Sequence, residues 1–222
     1  MAYTFGAEDI LAACGVTAAD FEVQESAADE TQESAVTADN VGAFVAASEK
    51  QFNTVSEKTF TLKAKNPDGA TAAFTLGGAG TVGVVITRAV ARQVNNDNAT
   101  LQVTAHVHGD GAADDHAAAP LAQAVTTPSL GFGVLAVQLG GTLADCQSSE
   151  ITWQCEHIDK QNNQGDHLVG ASTGLRVECQ EEYVDGGSDI TVPSPWKQDS
   201  QNKRTVNNDF YTRTVRAHKF AV

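Results

Sequence analysis

Basic residues are scarce in this chain. Lys and Arg together number 14 against 28 Asp and Glu, which leaves a net charge of −14. Nucleic-acid binding is driven by Lys and Arg that displace counterions from phosphate, so this balance excludes a conventional DNA-binding module. Aromatic residues are also few, at 6%. A carbohydrate-binding β-sandwich needs aromatic rings on one face, and Trp153 and Trp196 lie too far apart in sequence to read as such a platform. Each reads instead as a core or interface anchor. No apolar run approaches the roughly 18 residues that a membrane-spanning helix needs, so no membrane anchor is expected. The opening MAYTFGAEDILAACGV has no basic n-region and carries Glu8 and Asp9, unlike a signal peptide, and synthesis in the cytoplasm is expected.

Several chemistries lack their motifs. The four cysteines (Cys14, Cys146, Cys155, Cys179) include no CxxC pair, which argues against a zinc or redox motif. In a reducing compartment they read as buried free thiols. The alternative is a disulfide, with Cys155 and Cys179 in separate strands as the pair to consider. There is no G-x-S-x-G elbow. Gly77-Gly78-Ala79-Gly80 is not followed by Lys-Ser/Thr, so it is not a phosphate loop. No cofactor and no enzymatic activity are expected.

Small and β-branched residues dominate the 41% apolar fraction, and only one Met is present. Val and Thr suit a pleated surface, so the composition favours sheets. The length of 222 residues fits one large all-β domain. An amino-terminal region, residues 1–20, contains a short helix over Ala7–Cys14, with acidic Glu8 and Asp9 in its first turn and Gly15 as its stop. A strand over Phe21–Glu25 precedes an acidic loop at 26–40. Thr59–Lys65 and Thr71–Leu76 read as a hairpin about the turn Asn66-Pro67-Asp68-Gly69.

The strongest β signal is a long hairpin over residues 81–108. Val82, Val84, Ile86, Val90 and Val94 keep period two on its first arm, interrupted by Arg88 and Arg92. Leu101, Val103, Ala105 and Val107 do so on the second, with Asn95-Asn96-Asp97-Asn98 between the arms. Further strands are expected at Glu150–His157, Gly174–Tyr183 and Tyr211–Phe220. Residues 185–222 read as a carboxy-terminal arm and strand, with Trp196, Phe210 and Tyr211 as anchors for a neighbouring copy.

Asn40–Ser48 and Asn163–Ser172 resemble each other and sit between similar strand pairs, which points to a duplicated strand–loop–strand unit. Charge is uneven as well. Residues 1–57 hold eleven acidic side chains and one basic, whereas residues 193–222 hold six basic and two acidic. Ends of opposite sign suit head-to-tail association of copies.

Two clusters carry candidate chemistry. His106 and His108 share a strand face and precede Asp110, Asp114, Asp115 and His116. Imidazole and carboxylate together can hold a metal such as zinc, but this spacing matches no ligand motif, and a solvated amphipathic strand is the favoured reading. Glu156, His157, Asp159, Asp166 and His167 lie on or beside a Gln/Asn-rich loop, and acid–base work there would need a pocket.

Taken together, the amino-terminal helix, the β-sandwich or barrel, the extended hairpin at 81–108, the acidic loop and the strand arms resemble the major tail-tube proteins of tailed bacteriophages. The resemblance implies a mainly β fold with one or two short helices and a long protruding hairpin. It implies a virion location after synthesis in the host cytoplasm, with homohexameric rings that stack into a tube. The partners would be the chain itself and other tail proteins, and DNA would be non-specific passing cargo within an acidic lumen. Arg88, Arg92 and Asn95–Asn98 would then serve assembly. The alternatives are a capsid decoration protein or other virion structural protein, a metal-binding β-sandwich, and a carbohydrate-binding module.

Overall fold

A computed structural model describes residues 12, 20–35, 50–77, 79–81, 84–108, 122–161, 167–184, 189–206 and 210–220. The fold is mainly β and sandwich-like. One large, open, antiparallel sheet is backed on one side by short strands and irregular chain.

The strands are β1 (Phe21–Ala35), β2 (Lys50–Ala64), β3 (Ala73–Leu76), β4 (Ala79–Thr81), β5 (Val84–Val94), β6 (Thr100–His108), β7 (Gln123–Thr126), β8 (Cys146–Gln161), β9 (His167–Val184), β10 (Lys197–Val206) and β11 (Phe210–Phe220). The main path runs β1-β2-β6-β5-β8-β9-β11-β10. The apolar face of this path carries Leu62, Leu101, Val103, Ala89, Ala91, Ile151, Trp153, Val177, Val215 and Ala217, all buried. Alternate residues along the same strands point the other way, as period two requires.

The covering layer explains why the face is dry. The strands β3 and β7 pair with each other and bring Phe74, Leu76 and Val125 onto the sheet. The ring of Phe74 meets that of Trp153 edge-on, with centroids 6.3 Å apart. Residues 127–139 have no regular ladder, so their backbone groups need other partners. Two buried side chains of the sheet supply them. Gln93 donates to Ser129 O at 2.7 Å and accepts from Ala136 N at 3.0 Å. Glu181 accepts from Gln138 N at 2.5 Å and from Leu139 N at 3.1 Å. So strapped, the segment presses Leu130 and Leu139 into the core, where both are essentially inaccessible.

Four expectations need correction. The hairpin at 81–108 forms as β5 and β6 around the Asn95–Asn98 turn, with Asn96 at φ 63°. It is not a protrusion, because β8 and β2 flank its strands within the sheet. The arms that outrun their neighbours are β1–β2 and β8–β9. The pairing of β6 with β2 ends at Val55, whereas β2 begins at Lys50. The strands β8 and β9 leave β5 and β11 at Gln154 and Arg176 and continue to Gln161 and His167. Both arms project from the sheet end at which Val84 meets Val107.

Residues 26–35 are strand, not loop. Their side chains are polar, so period two does not show, and main-chain pairing to β2 holds them. The turn at Asn66–Gly69 exists, with Gly69 N donating to Asn66 O at 2.9 Å. It does not close a hairpin, because β2 pairs with β6 in the main sheet whereas β3 pairs with β7 in the covering layer. Lastly, Lys197–Val206, expected as part of a carboxy-terminal arm, is strand β10; it contains no apolar residue before Val206 and so shows no period two. The amino-terminal helix lies outside the described residues except for Ala12, which is helical.

The main sheet is built twice. Strands β1, β2, β5 and β6 are arranged in space as first, second, fourth, third, and β8, β9, β10 and β11 repeat that order. The irregularities coincide too. In the first hairpin of each unit, β1 skips a partner at Gln24 and Gln32, and β8 does so at Gln147 and Cys155. In the second hairpin, β5 skips at Thr87 and β10 at Asp199. A bulge sets local twist and register, so three coincident bulges mark one architecture used twice. A duplicated unit is therefore present, at four strands, but not in the register of the sequence match. Ser172 lies in β9 opposite His157 and corresponds to Gln51 opposite Ser34, not to Ser48. The segments 36–49 and 162–166 lie outside the described residues, and 167–172, expected as loop, is the start of β9.

Candidate functional site

Among the described residues, nothing is layered on the second face of the main sheet, and the terminal strands β1 and β10 each pair on one side only. Thr59, Thr61 and Lys63 of β2, Gln102 and Thr104 of β6, and Arg88 and Arg92 of β5 alternate away from the core. So do Glu150 and Gln154 of β8, Glu178 and Glu182 of β9, and Thr214 and Arg216 of β11. A wide hollow of about 820 Å³ lies on this face towards the arms, lined by Glu57, Arg88, His106, Glu156, His157 and Arg176 among others. Arg176 Nε lies 3.0 Å from Glu178 Oε1, a half-exposed pair that contributes little to stability.

The charges of the face are mixed. Lys63, Arg88, Arg92, Arg176 and Arg216 offset Glu57, Glu150, Glu178 and Glu182. The excess acid collects on β1, which carries Glu22, Glu25, Asp29, Glu30 and Glu33 and no basic residue. At the other end of the path, β10 carries Lys197, Lys203 and Arg204 against Asp199. Both are terminal strands of the sheet. From 22 to 29 the side chains of β1 are exposed apart from half-buried Val23, and Lys203 and Arg204 are exposed.

The residues singled out from sequence fall in different places. Arg88 and Arg92 stand exposed on the polar face, and Arg92 is directly opposite Glu150. Asn95–Asn98 is tied down at the opposite end of the sheet from the arms, through Asn95 N to Gln147 O at 2.8 Å and Gly133 N to Asp97 O at 2.8 Å. Trp196 is no free anchor. It packs half-buried against the chain's own core, with Lys219 Nζ 4.4 Å above its ring. Tyr211 is exposed, and Lys203 Nζ sits 4.5 Å from its ring centre. The side chain of Phe210 lies outside the described residues.

His106 faces His157 across strands, with centroids 5.1 Å apart, and His157 Nδ1 lies 3.0 Å from Ser172 Oγ. The side chains of His108, Asp159 and His167, and all of Asp110, Asp114, Asp115, His116 and Asp166, lie outside the described residues. Among the described residues no three His, Cys, Asp or Glu side chains are grouped to hold a metal ion. No described helix is long and apolar enough to cross a membrane.

Cys146, Cys155 and Cys179 are free thiols, and Cys179 pairs across strands with Ile151 rather than with Cys155. Burial, reinforced by the carboxylate of Glu181, pushes the Cys146 thiol up to about 11. Burial also raises Cys179 and the Tyr183 phenol, both again beside Glu181. The folded chain therefore keeps protons that the unfolded chain releases from roughly pH 8.5 to 10. Their contribution is complete below that window and is lost as pH rises through the folded values. The denaturant midpoint is expected to be lower at about pH 10.5 than at about pH 8, and native Cys146 and Cys179 should resist alkylation near neutrality.

One signal in the sequence bears directly on the site. Val94-Asn95-Asn96-Asp97 recurs as Val206-Asn207-Asn208-Asp209, and Thr100, Val103, Ala105 and His106 recur as Thr212, Val215, Ala217 and His218. Of these, Thr100, Val103, Ala105 and His106 of β6 and Thr212, Val215, Ala217 and His218 of β11 occupy corresponding places against β5 and β10. This match identifies β10 as the counterpart of β5. No family model matches the chain, and no curated protein matches it either.

Proposed function

We propose that this chain is a structural subunit that assembles with copies of itself into rings, and rings into a tube, in the manner of bacteriophage tail-tube proteins. The observation that carries this reading is the open sheet. Its eight-strand path ends in one acidic and one basic strand, while one face is apolar and covered and the other is polar, with no described segment layered on it. Unpaired strand edges are a hazard that proteins cap, cover or use, and here their opposite charges favour use between copies.

In this reading the covered face looks outward and the polar face lines the channel. The wall is of mixed sign rather than uniformly acidic. Paired opposite charges leave little net drive to condense phosphate, so DNA passes without sticking. The arms β1–β2 and β8–β9 project from one end of each subunit, where they reach the next ring. The role requires no catalysis and places the chain in a virion.

Sedimentation velocity over a concentration series tests the reading. Species much heavier than one chain are expected at low salt, and they should shrink as salt rises, because screening weakens the edge charges. A chain that remains monomeric at every concentration and salt level would refute it.

A further inference from the structure

The internal repeat says how one copy meets the next. Inside the chain, the third strand of the first unit, β5, pairs antiparallel with the first strand of the second unit, β8. The same two positions recur at the ends of the sheet: β10 is the third strand of the second unit, and β1 is the first strand of the first. We propose that β10 of one copy pairs with β1 of the next in the register that β5 and β8 already show. This deepens the self-assembly reading, and it rests on that reading only in taking a second copy as the partner.

The register follows from the bulges. Aligning Thr87 with Asp199 makes Val90, Ala91 and Arg92 equivalent to Asn202, Lys203 and Arg204. Aligning Gln24 with Gln147 and Gln32 with Cys155 makes Glu150, Ile151 and Thr152 equivalent to Ala27, Ala28 and Asp29. Inside the chain Arg92 faces Glu150, Ala91 faces Ile151 and Val90 faces Thr152. Between copies Arg204 then faces Ala27, Lys203 faces Ala28 and Asn202 faces Asp29.

The chemistry fits this register. Arg204 points to the same face as Thr212 of β11, and so belongs to the polar face. On the neighbouring copy, Ala27 is flanked on that face by Glu25, which pairs with Thr61, and Asp29, which pairs with Glu57. The guanidinium would lie over the small Ala27 side chain with a carboxylate diagonally to either side, within reach of a long side chain. The interior junction places a guanidinium opposite a carboxylate in the same position, Arg92 with Glu150. Polar faces continue into polar faces, and the basic edge meets the acidic one. Each copy then contributes two equivalent four-stranded units, so a closed ring contains twice as many units as copies.

Cysteine pairing on the full chain tests this. Directly opposed residues in an antiparallel ladder alternate between wider and closer pairs, with Cα atoms about 4.5 Å apart in the closer kind. One of two consecutive pairs is therefore suited to a disulfide. The variants are Ala28→Cys with Lys203→Cys, and Asp29→Cys with Asn202→Cys. The control, Glu25→Cys with Asn202→Cys, is four residues out of register, and each single substitution measures background from the native thiols. All these positions are exposed, so the fold should tolerate the changes.

Under mild oxidation at least one in-register variant should give a ladder of covalent dimers and higher oligomers on non-reducing gels, and the control should not. Heavy assemblies in solution with no in-register ladder, or with a ladder as strong in the control, would overturn the register and leave self-assembly standing. Monomers with no cross-linking would overturn both.

Discussion

Glu181→Ala is expected to destabilise the chain by about 3–5 kcal/mol, because it removes three hydrogen bonds to a charged group at roughly 1.5–3 kcal/mol each before relaxation. Glu181 is fully buried and accepts from the backbone of Gln138 and Leu139 and from the hydroxyl of Tyr183. Alanine would leave those three donors unsatisfied in a dry interior, at about 1–3 kcal/mol each before relaxation. For a chain of this size the melting temperature should fall by roughly 10 °C. Glu181→Gln keeps one acceptor and should cost clearly less.

The repeat supplies a converse. Phe60, Leu62 and Leu101 of the first unit occupy the places that Glu181, Tyr183 and Arg213 occupy in the second. Phe60→Glu would bury a carboxylate among the apolar side chains of the core, and should be worse than Glu181→Ala. Thermal denaturation of the three variants checks the ranking. A Glu181→Ala chain within about 0.5 kcal/mol of the parent, as for an inconsequential surface change, would show that the strap is not held in this way.

The second large effect concerns the edges. Lys203→Glu with Arg204→Glu makes both ends of the sheet acidic. Glu25→Lys with Asp29→Lys gives both ends basic character at the contact. Each reversal replaces a favourable cross-strand contact by a repulsive one, for a total of about 1–3 kcal/mol per junction. That is roughly 10- to 100-fold in each junction's equilibrium constant, multiplied over every junction in a ring. Neither variant alone should assemble. Mixed, each basic edge finds an acidic one, and assembly should return with the two variants alternating. Light scattering of the separate and mixed proteins reads this out. Assembly by either variant alone at low salt would show that the edges do not meet.

What the sequence revealed depended on which force shaped each segment. Strands that bury one face declare themselves by period two, as β6 does. In β5 the bulge at Thr87 moves the buried face from Val84 and Ile86 to Ala89, Ala91 and Gln93, so Val90 and Val94 do not share the face expected for them. Strands held mainly by main-chain pairing do not declare themselves in this way. The polar outer part of β1 and all of β10 offered no apolar alternation, and those two strands are the edges that matter. The Asn66–Gly69 turn was read from Pro and Gly correctly, but its destination was not, because turn chemistry fixes a change of direction and not which layer the next strand joins. The asymmetry of charge between the chain's ends was visible at once. Its placement on opposite edges of one sheet was not, since strand order is a long-range property. Trp196 reads as an anchor for a neighbour because its surroundings in sequence are polar, yet the core against which it packs comes from distant strands. The Val-Asn-Asn-Asp repeat is the local clue that linked the two hairpins.

Negative-stain electron microscopy of the purified chain tests the central claim most directly. Closed rings with an open centre, some stacked into tubes, are the predicted result at low salt and high concentration. Fields of single compact particles at every concentration and salt level, with no ring or tube, would contradict it.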